Sequence, residues 1–191
     1  MKPKHTDIPS GLSELKFYEY VSMRSQTRDF DVVIVGGSYA GLSAALTLGR
    51  ALRSVLVIDK GDGFLQQDIY AHNFITQDGV IASAIHAKAK EQVLQYKTVK
   101  FYKDKVETVV QQEGRFIVET RRKEKFTARK ILFATGLIDV FPPINGFREC
   151  WGQSVLHCPY CNGYEYADAD IGIFANGDIA YDLAKTMYNW S

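Results

Sequence analysis

Cys158 and Cys161 are separated only by Pro159 and Tyr160, a spacing at which two thiols close into a disulfide and reopen, carrying two electrons each way. Upstream, the apolar run from Asp31 to Val35 leads into Gly36-Gly37-Ser38-Tyr39-Ala40-Gly41. A glycine-rich turn between a strand and a helix brings the pyrophosphate of a dinucleotide to the helix N-terminus. A dithiol together with a dinucleotide able to supply or accept its electrons points to redox chemistry. Cys158 and Cys161 are therefore the candidate catalytic residues.

The glycine motif departs from its usual form at one place. Gly36 permits the tight turn and Gly41 lets the helix pack on the strand, while Ser38 occupies the middle glycine position as the smallest replacement, with a hydroxyl that can face phosphate. Asp59, 23 residues after Gly36 and beside Lys60 at the end of a second apolar run, is placed to accept ribose hydroxyls. An ordinary strand-to-helix turn without a ligand is the competing reading. At the cysteine pair, Pro159 and a helix starting there favour a thiolate, because a helix N-terminus stabilises negative charge. Zinc held by Cys150, His157, Cys158 and Cys161 competes, although no second CxxC or HxxxH pair exists; inert buried thiols are the other alternative. Cys150, beside Trp151, reads as a packed small hydrophobe. His86 reads as surface or core filling, His157 as a residue that tunes a thiol or packs, and the run Arg121 to Lys125 as a solvated hairpin turn.

These residues must be positioned by a recognisable succession of elements. Asp31 to Val35 reads as a buried strand, Tyr39 to Leu52 as a helix whose first turns carry Ala40, Gly41, Ala44 and Ala45, and Ser54 to Ile58 as a second strand parallel to the first through a right-handed crossover. A Gly, Gln and Asp-rich loop (61–78) precedes a helix over Val80 to Tyr96, with Ile81, Ala84, Ile85, Ala89 and Val93 at helical spacing. Val99 to Val110, Arg115 to Arg121 and Phe126 to Ala134 then alternate as three consecutive antiparallel strands. The expected fold is α/β: a Rossmann-like parallel sheet with a three-stranded meander, then the start of a second dinucleotide-binding unit. A polar arm (1–29), a cofactor domain (30–142) and a CxxC segment opening the second unit (143–191) are the expected divisions.

Composition narrows the classes. The 191 residues carry a formal net charge of +1 and are 46% apolar, which gives no reason to expect nucleic acid or an acidic membrane surface as partner and argues against disorder. No run approaches the roughly 20 apolar residues of a membrane span, and the first residues lack the apolar core of a signal peptide. Three clustered cysteines do not form the framework of a secreted domain, so a reducing cytoplasm is expected.

Taken together, Gly36 to Gly41, Asp59, Ala134-Thr135-Gly136, the stretch Trp151 to Glu165 around the cysteines, and Asn176-Gly177-Asp178 resemble the thioredoxin reductase type of FAD-dependent pyridine nucleotide-disulfide oxidoreductases, with their relatives that act on small dithiols. The resemblance implies FAD at the first unit, with Gly36, Ser38, Ala40 and Gly41 at its pyrophosphate, Asp59 at the ribose and Thr135-Gly136 along the flavin. It implies NADPH at Asn176, Gly177 and Asp178, electrons passing through the flavin to the Cys158–Cys161 pair, Cys161 facing the flavin, and Cys158 exchanging with a small-molecule disulfide or a thioredoxin-like protein. A homodimer is also implied. Three departures stand out. Asn162 replaces the aspartate that follows the second cysteine in thioredoxin reductases, which opens an alternative: oxidation of a small dithiol with O2 as acceptor. Ala175 replaces the first glycine of the second turn, and the chain ends at Ser191. A truncated product with weak FAD retention and little NADPH turnover is therefore expected, and a non-enzymatic nucleotide-binding module is the remaining alternative.

Overall fold

A strand covered on both faces carries apolar side chains at consecutive positions, and the two runs that read this way lie side by side in the middle of the parallel part of the observed sheet. The computed structural model describes residues 28–61 and 70–190; the expected polar arm, up to residue 27, and the middle of the loop over 61–78 lie outside them. The described residues divide into two units, residues 28–61 with 86–137, and residues 70–85 with 138–190.

In chain order the elements are β1 (Asp29–Val35), α1 (Tyr39–Arg50), β2 (Val55–Asp59), the short strands β3 (Tyr70–Ala71) and β4 (Val80–Ile81), and α2 (Ala82–Leu94). Four strands follow: β5 (Val99–Lys103), β6 (Val106–Gln112), β7 (Arg115–Thr120) and β8 (Lys125–Phe133). The chain continues with the single-turn helices α3 (Phe147–Cys150) and α4 (Pro159–Asn162), a 3₁₀ turn (Tyr164–Tyr166) and α5 (Gly177–Met187).

Among the described residues of the first unit, six strands form one sheet in the order β5-β2-β1-β8-β7-β6. β5, β2, β1 and β8 run parallel, whereas β6, β7 and β8 form an antiparallel meander. Side chains of the central strands alternate between two cores, as the two-residue period of a strand requires. Ile34, Val55 and Val57 pack with Leu42 and Ala45 of α1 and Val93 of α2, while Val33, Leu56 and Ile58 pack with Val118, Phe126 and Ala128. Burying Leu56 or Ile58 contributes about 1.5–3 kcal/mol each.

The sequence reading needs correction at four points. The expected strand over Val99 to Val110 is two strands, with β5 in the parallel sheet and β6 in the meander, so the parallel part extends one strand further than expected. The break falls at Asp104, only 8% exposed, whose carboxylate accepts hydrogen bonds from the backbone N–H groups of Lys105 (2.8 Å) and Arg122 (3.0 Å). The first helix ends at Arg50 rather than Leu52, because Leu52 takes a left-handed conformation (φ 57°) and the Leu52 and Arg53 N–H groups turn back to the Gly49 and Leu48 carbonyls. Val80 and Ile81 pair as a strand with β3 before the second helix begins. On that helix Ala84 is exposed, and Ala82, Ile85 and Val93 form the buried face.

Asp104 supplies a stability prediction. Burial opposes its ionisation, but the Arg122 and Lys105 N–H groups and the Arg122 charge outweigh burial and hold the carboxyl below its ordinary value. A carboxyl depressed in the folded state stabilises the fold above its unfolded pKa, about 3.9, and loses that contribution as pH falls through the folded value. Asp104→Asn should cost about 1.5–3 kcal/mol at neutral pH, the loss of charge-assisted hydrogen bonds in a buried corner. Urea melts of both proteins between pH 7 and roughly pH 2 should converge at the acid end. A constant difference across that range would contradict the assignment.

Candidate functional site

The first candidate site grows from the ends of three parallel strands. β1 lies between β2 and β8, so the chain leaves β1 toward one side of the sheet and returns as β8 on the other. Such a switch point leaves a crevice beyond the carboxyl ends of the strands. Gly36 follows β1, Asp59 and Lys60 close β2, and Ala134-Thr135-Gly136 follow β8, so the expected cofactor residues of the first unit gather at one sheet edge.

The turn itself is built by close backbone approach. Gly36 has φ 105°, and a Cβ there would collide with the Ala134 carbonyl. A Cβ on Gly41 would collide with the Gly36 carbonyl, so this glycine lets α1 lie against the turn. The Gly36 N–H donates to the Ile58 carbonyl (2.8 Å) and the Ala134 N–H to the Val35 carbonyl (2.8 Å), locking the three strand ends together. The first hydrogen bond of α1 runs from the Leu42 N–H to the Ser38 carbonyl (2.8 Å), and the Ser38 hydroxyl makes no capping bond to the helix. The opening turn, Ser38 to Gly41, thus directs its N–H groups outward along the helix axis, where they suit an anion.

Asp59 serves the turn as well as facing the crevice. Its carboxylate accepts from the Gly37 N–H (2.6 Å) through Oδ2 and from the Gly61 N–H (2.7 Å) through Oδ1. A carboxylate has about four acceptor sites, so two hydroxyl donors can still be taken. The donor set at Ser38 to Gly41, with a carboxylate one strand away, fits the phosphate and ribose of a dinucleotide.

His86 is the residue of this site that the sequence reading missed. Its Nε2 lies 2.8 Å from the Gly37 carbonyl oxygen and its ring meets Tyr39 edge-on, with centroids 6.4 Å apart. Burial pushes the Tyr39 phenol above its ordinary pKa. A signal existed: His86 adjoins Ile85 on the buried face of α2. Nothing in the periodicity names its acceptor, 49 residues earlier.

The second unit holds the cysteines. Cys158 and Cys161 are joined as a disulfide with Cα atoms 5.3 Å apart, and both residues are half-buried. Cys158 precedes α4 in extended conformation with Pro159 at the first helical position, as expected, but the helix is one turn long, so its dipole is smaller than a full helix would give. The residue before Cys158 belongs to an aromatic cluster: His157 stacks on Trp151 (5.3 Å, 15°), and Trp151 packs on Phe141 (4.9 Å) and Phe147 (6.1 Å). Cys150 is a free, half-buried thiol. Among the described residues no group of three or more His, Cys, Asp or Glu side chains is arranged to hold a metal ion.

Asn176 occupies the N-cap position of α5 without a side-chain capping bond, Gly177 takes φ 60° and Asp178 lies in the first turn of this exposed helix. The residues before it, 171–175, pair with no strand among the described residues. No helix there is long and apolar enough to cross a membrane.

Comparison with known proteins places these features in context. The chain is 34% identical over 151 residues to a protein named probable thioredoxin reductase from Arthroderma benhamiae, covering 75% of this chain and 37% of that protein. An oxidoreductase structure from Agrobacterium tumefaciens superposes with a TM-score of 0.80 at 41% identity, covering 85% of this chain and 55% of the other. A structure described as a putative thioredoxin reductase TrxB from Bacillus anthracis gives a TM-score of 0.80 at 33% identity, covering 84% and 54%. The chain spans between 37% and 55% of the length of the first curated relatives it matches. The model of the pyridine nucleotide-disulphide oxidoreductases matches residues 30–189, from the opening of β1 to beyond α5, and the chain belongs to that family.

Proposed function

We propose that this chain carries the FAD-binding and dithiol parts of an NADPH-dependent oxidoreductase that exchanges electrons with a disulfide or dithiol substrate. The observation that carries the reading is the Cys158–Cys161 disulfide in a chain of this family. Gly36, Gly37, Ser38, Tyr39, Ala40 and Gly41 would hold the FAD pyrophosphate, Asp59 and Lys60 its ribose end, and Ala134, Thr135 and Gly136 its flavin end. Asn176, Gly177 and Asp178 would hold NADPH. Bound FAD would supply two-electron transfer between a nicotinamide and a disulfide.

The protein's own step is thiol–disulfide exchange. The Cys158 thiolate attacks one sulfur of the substrate disulfide, forming a mixed disulfide and releasing the other substrate sulfur as thiolate. Cys161 then attacks the Cys158 sulfur, closing the intramolecular disulfide and releasing the second substrate thiolate. The two electrons of the new substrate thiols come from the cysteine pair. Asn162 cannot titrate near neutrality, so the departing thiolates take protons from water. Several relatives are named thioredoxin reductases, which supports a thioredoxin-like protein as substrate beside a small disulfide. A homodimer in the reducing cytoplasm belongs to the same reading. Asn162 also supports the reverse direction, with a small dithiol oxidised and O2 reduced.

Two measurements on the full chain test this. FAD titrated with the chain should lose its free fluorescence in saturable, one-to-one fashion. In a Cys150→Ser background the reduced chain should release a pair of nitrothiobenzoate ions per molecule from Ellman's reagent while its own pair becomes disulfide. Unquenched flavin, or cysteines that stay alkylatable after the reagent, would sink the proposal. Oxygen uptake with a dithiol, in place of NADPH oxidation with a disulfide, would select the oxidase direction.

A further inference from the structure

We propose that His86 is a positioning residue for the β1–α1 turn, setting the turn's affinity for the phosphates of a dinucleotide by fixing the direction of the Gly37–Ser38 peptide. The inference rests on the dinucleotide reading of that turn. A carbonyl oxygen only accepts hydrogen bonds, so the His86 Nε2 facing the Gly37 oxygen at 2.8 Å carries the proton and donates it. A trans peptide is planar, with its C=O and N–H on opposite sides. Holding the Gly37 carbonyl toward α2 therefore turns the Ser38 N–H away from α2. On the other side of the same residue, the Gly37 N–H is held by Asp59 Oδ2 at 2.6 Å.

The two peptide units that flank Gly37 are thus fixed by two different elements, one by a side chain of β2 and one by a side chain of α2. Glycine has no Cβ to restrict its own backbone, so a turn made of Gly36 and Gly37 would otherwise sample several peptide orientations, of which few present the Ser38 N–H to an anion. Restricting them in advance lowers the ordering cost of binding. The Tyr39 ring, edge-on to the imidazole, limits the rotation of the histidine that does this.

The test compares two amides. The Nε2 of glutamine reaches about as far along the side chain as the Nε2 of histidine, whereas the asparagine amide stops near the position of Nδ1. ADP, which carries the phosphate-bearing half of the dinucleotide, and adenosine, which lacks phosphate, are titrated into the full-length chain and its His86→Gln and His86→Asn variants. ADP should bind His86→Asn about tenfold more weakly than wild type and His86→Gln within about threefold, the size of one lost hydrogen bond. Adenosine should bind all three alike, since the effect is confined to the phosphate. Equal ADP affinity for wild type and His86→Asn overturns the inference, as does a parallel loss of ADP and adenosine, which would mean general loosening. A wild-type chain that binds neither FAD nor ADP defeats the dinucleotide reading itself, a different outcome from wild-type binding that is indifferent to position 86. Should His86→Asn not fold, the wild type still decides: ADP must shift the Ser38 amide and the His86 ring nitrogen resonances together, and a shifted Ser38 amide beside an unmoved His86 ring overturns the inference.

Discussion

Serine in place of Cys158 should abolish exchange with a substrate disulfide, and serine in place of Cys161 should arrest the same reaction as a stable mixed disulfide on Cys158. Each variant removes one of two sulfurs that act as a unit, so either loss should lower turnover of a small disulfide by ~1,000-fold or more. The variants fail at different steps. Without Cys158 no nucleophile reaches the substrate first; without Cys161 the adduct forms but nothing attacks the Cys158 sulfur to release it. Both residues are half-buried, so exposure does not rank them, and the order follows the arrangement proposed for the family. Intact-protein mass spectrometry in the Cys150→Ser background reads the answer, because the free thiol of Cys150 would otherwise add its own adduct. An adduct of equal yield on Cys161 in the Cys158→Ser protein would reverse the assignment of roles. Unchanged turnover in both variants would remove the dithiol from the reaction.

What the sequence disclosed, and what it did not, follows from the range of each interaction. The β1–α1–β2 unit was readable because strands buried on both faces are uninterrupted apolar runs, and because the glycines at 36 and 41 answer to steric demands inside one short segment. The division of Val99–Val110 was not readable. The polar run Lys103-Asp104-Lys105 marks the break, but nothing local says that the chain changes partner there; that change is set by Asp104, whose carboxylate meets a backbone N–H of the β7–β8 turn 18 residues later. For Asp59 the sequence suggests an acceptor for ribose, whereas the structure shows both oxygens engaged by the turn and by Gly61, a duty no motif announces. His86 was passed over for a related reason, since its partner is a backbone carbonyl, which no side-chain pattern announces. The α5 segment was read from its glycine turn alone; a strand also needs a partner to form a ladder, and 171–175 pair with none among the described residues.

Two glycines on one helix supply a sharp test of the turn. Helix propensity alone says that Gly→Ala in a helix stabilises by about 0.5–1 kcal/mol wherever it is made. Gly41 and Gly49 both lie buried in α1, yet their neighbours differ. A Cβ at Gly49 would meet the Val99 Cγ2 and the Tyr96 Cβ at 2.8 and 2.9 Å, a buried β-branched methyl and an atom fixed to its own backbone, so the collision is shallower than at Gly41 but also requires a shift. A Cβ at Gly41 would meet the backbone oxygen of Gly36, which is held by the Ile58 hydrogen bond on its own N–H and by the Ala134 carbonyl against its Cα. Nothing flexible stands there to yield, so α1 itself must move off the turn. Gly41→Ala should therefore destabilise the chain by about 1–3 kcal/mol, the usual range for overpacking, and Gly41→Val by more. Gly49→Ala should cost less than Gly41→Ala, about 1 kcal/mol, because its collision is shallower and helix propensity offsets part of the crowding. Moving α1 also carries the Ser38 to Gly41 N–H groups away from the ends of β2 and β8, so ADP affinity should fall by about tenfold or more in Gly41→Ala while Gly49→Ala binds as wild type. Denaturant melts and the ADP titration are made on the same samples. Equal stabilities for the two alanine variants, or a stabilised Gly41→Ala, would show that the helix and the turn are not in the close contact from which the site is built.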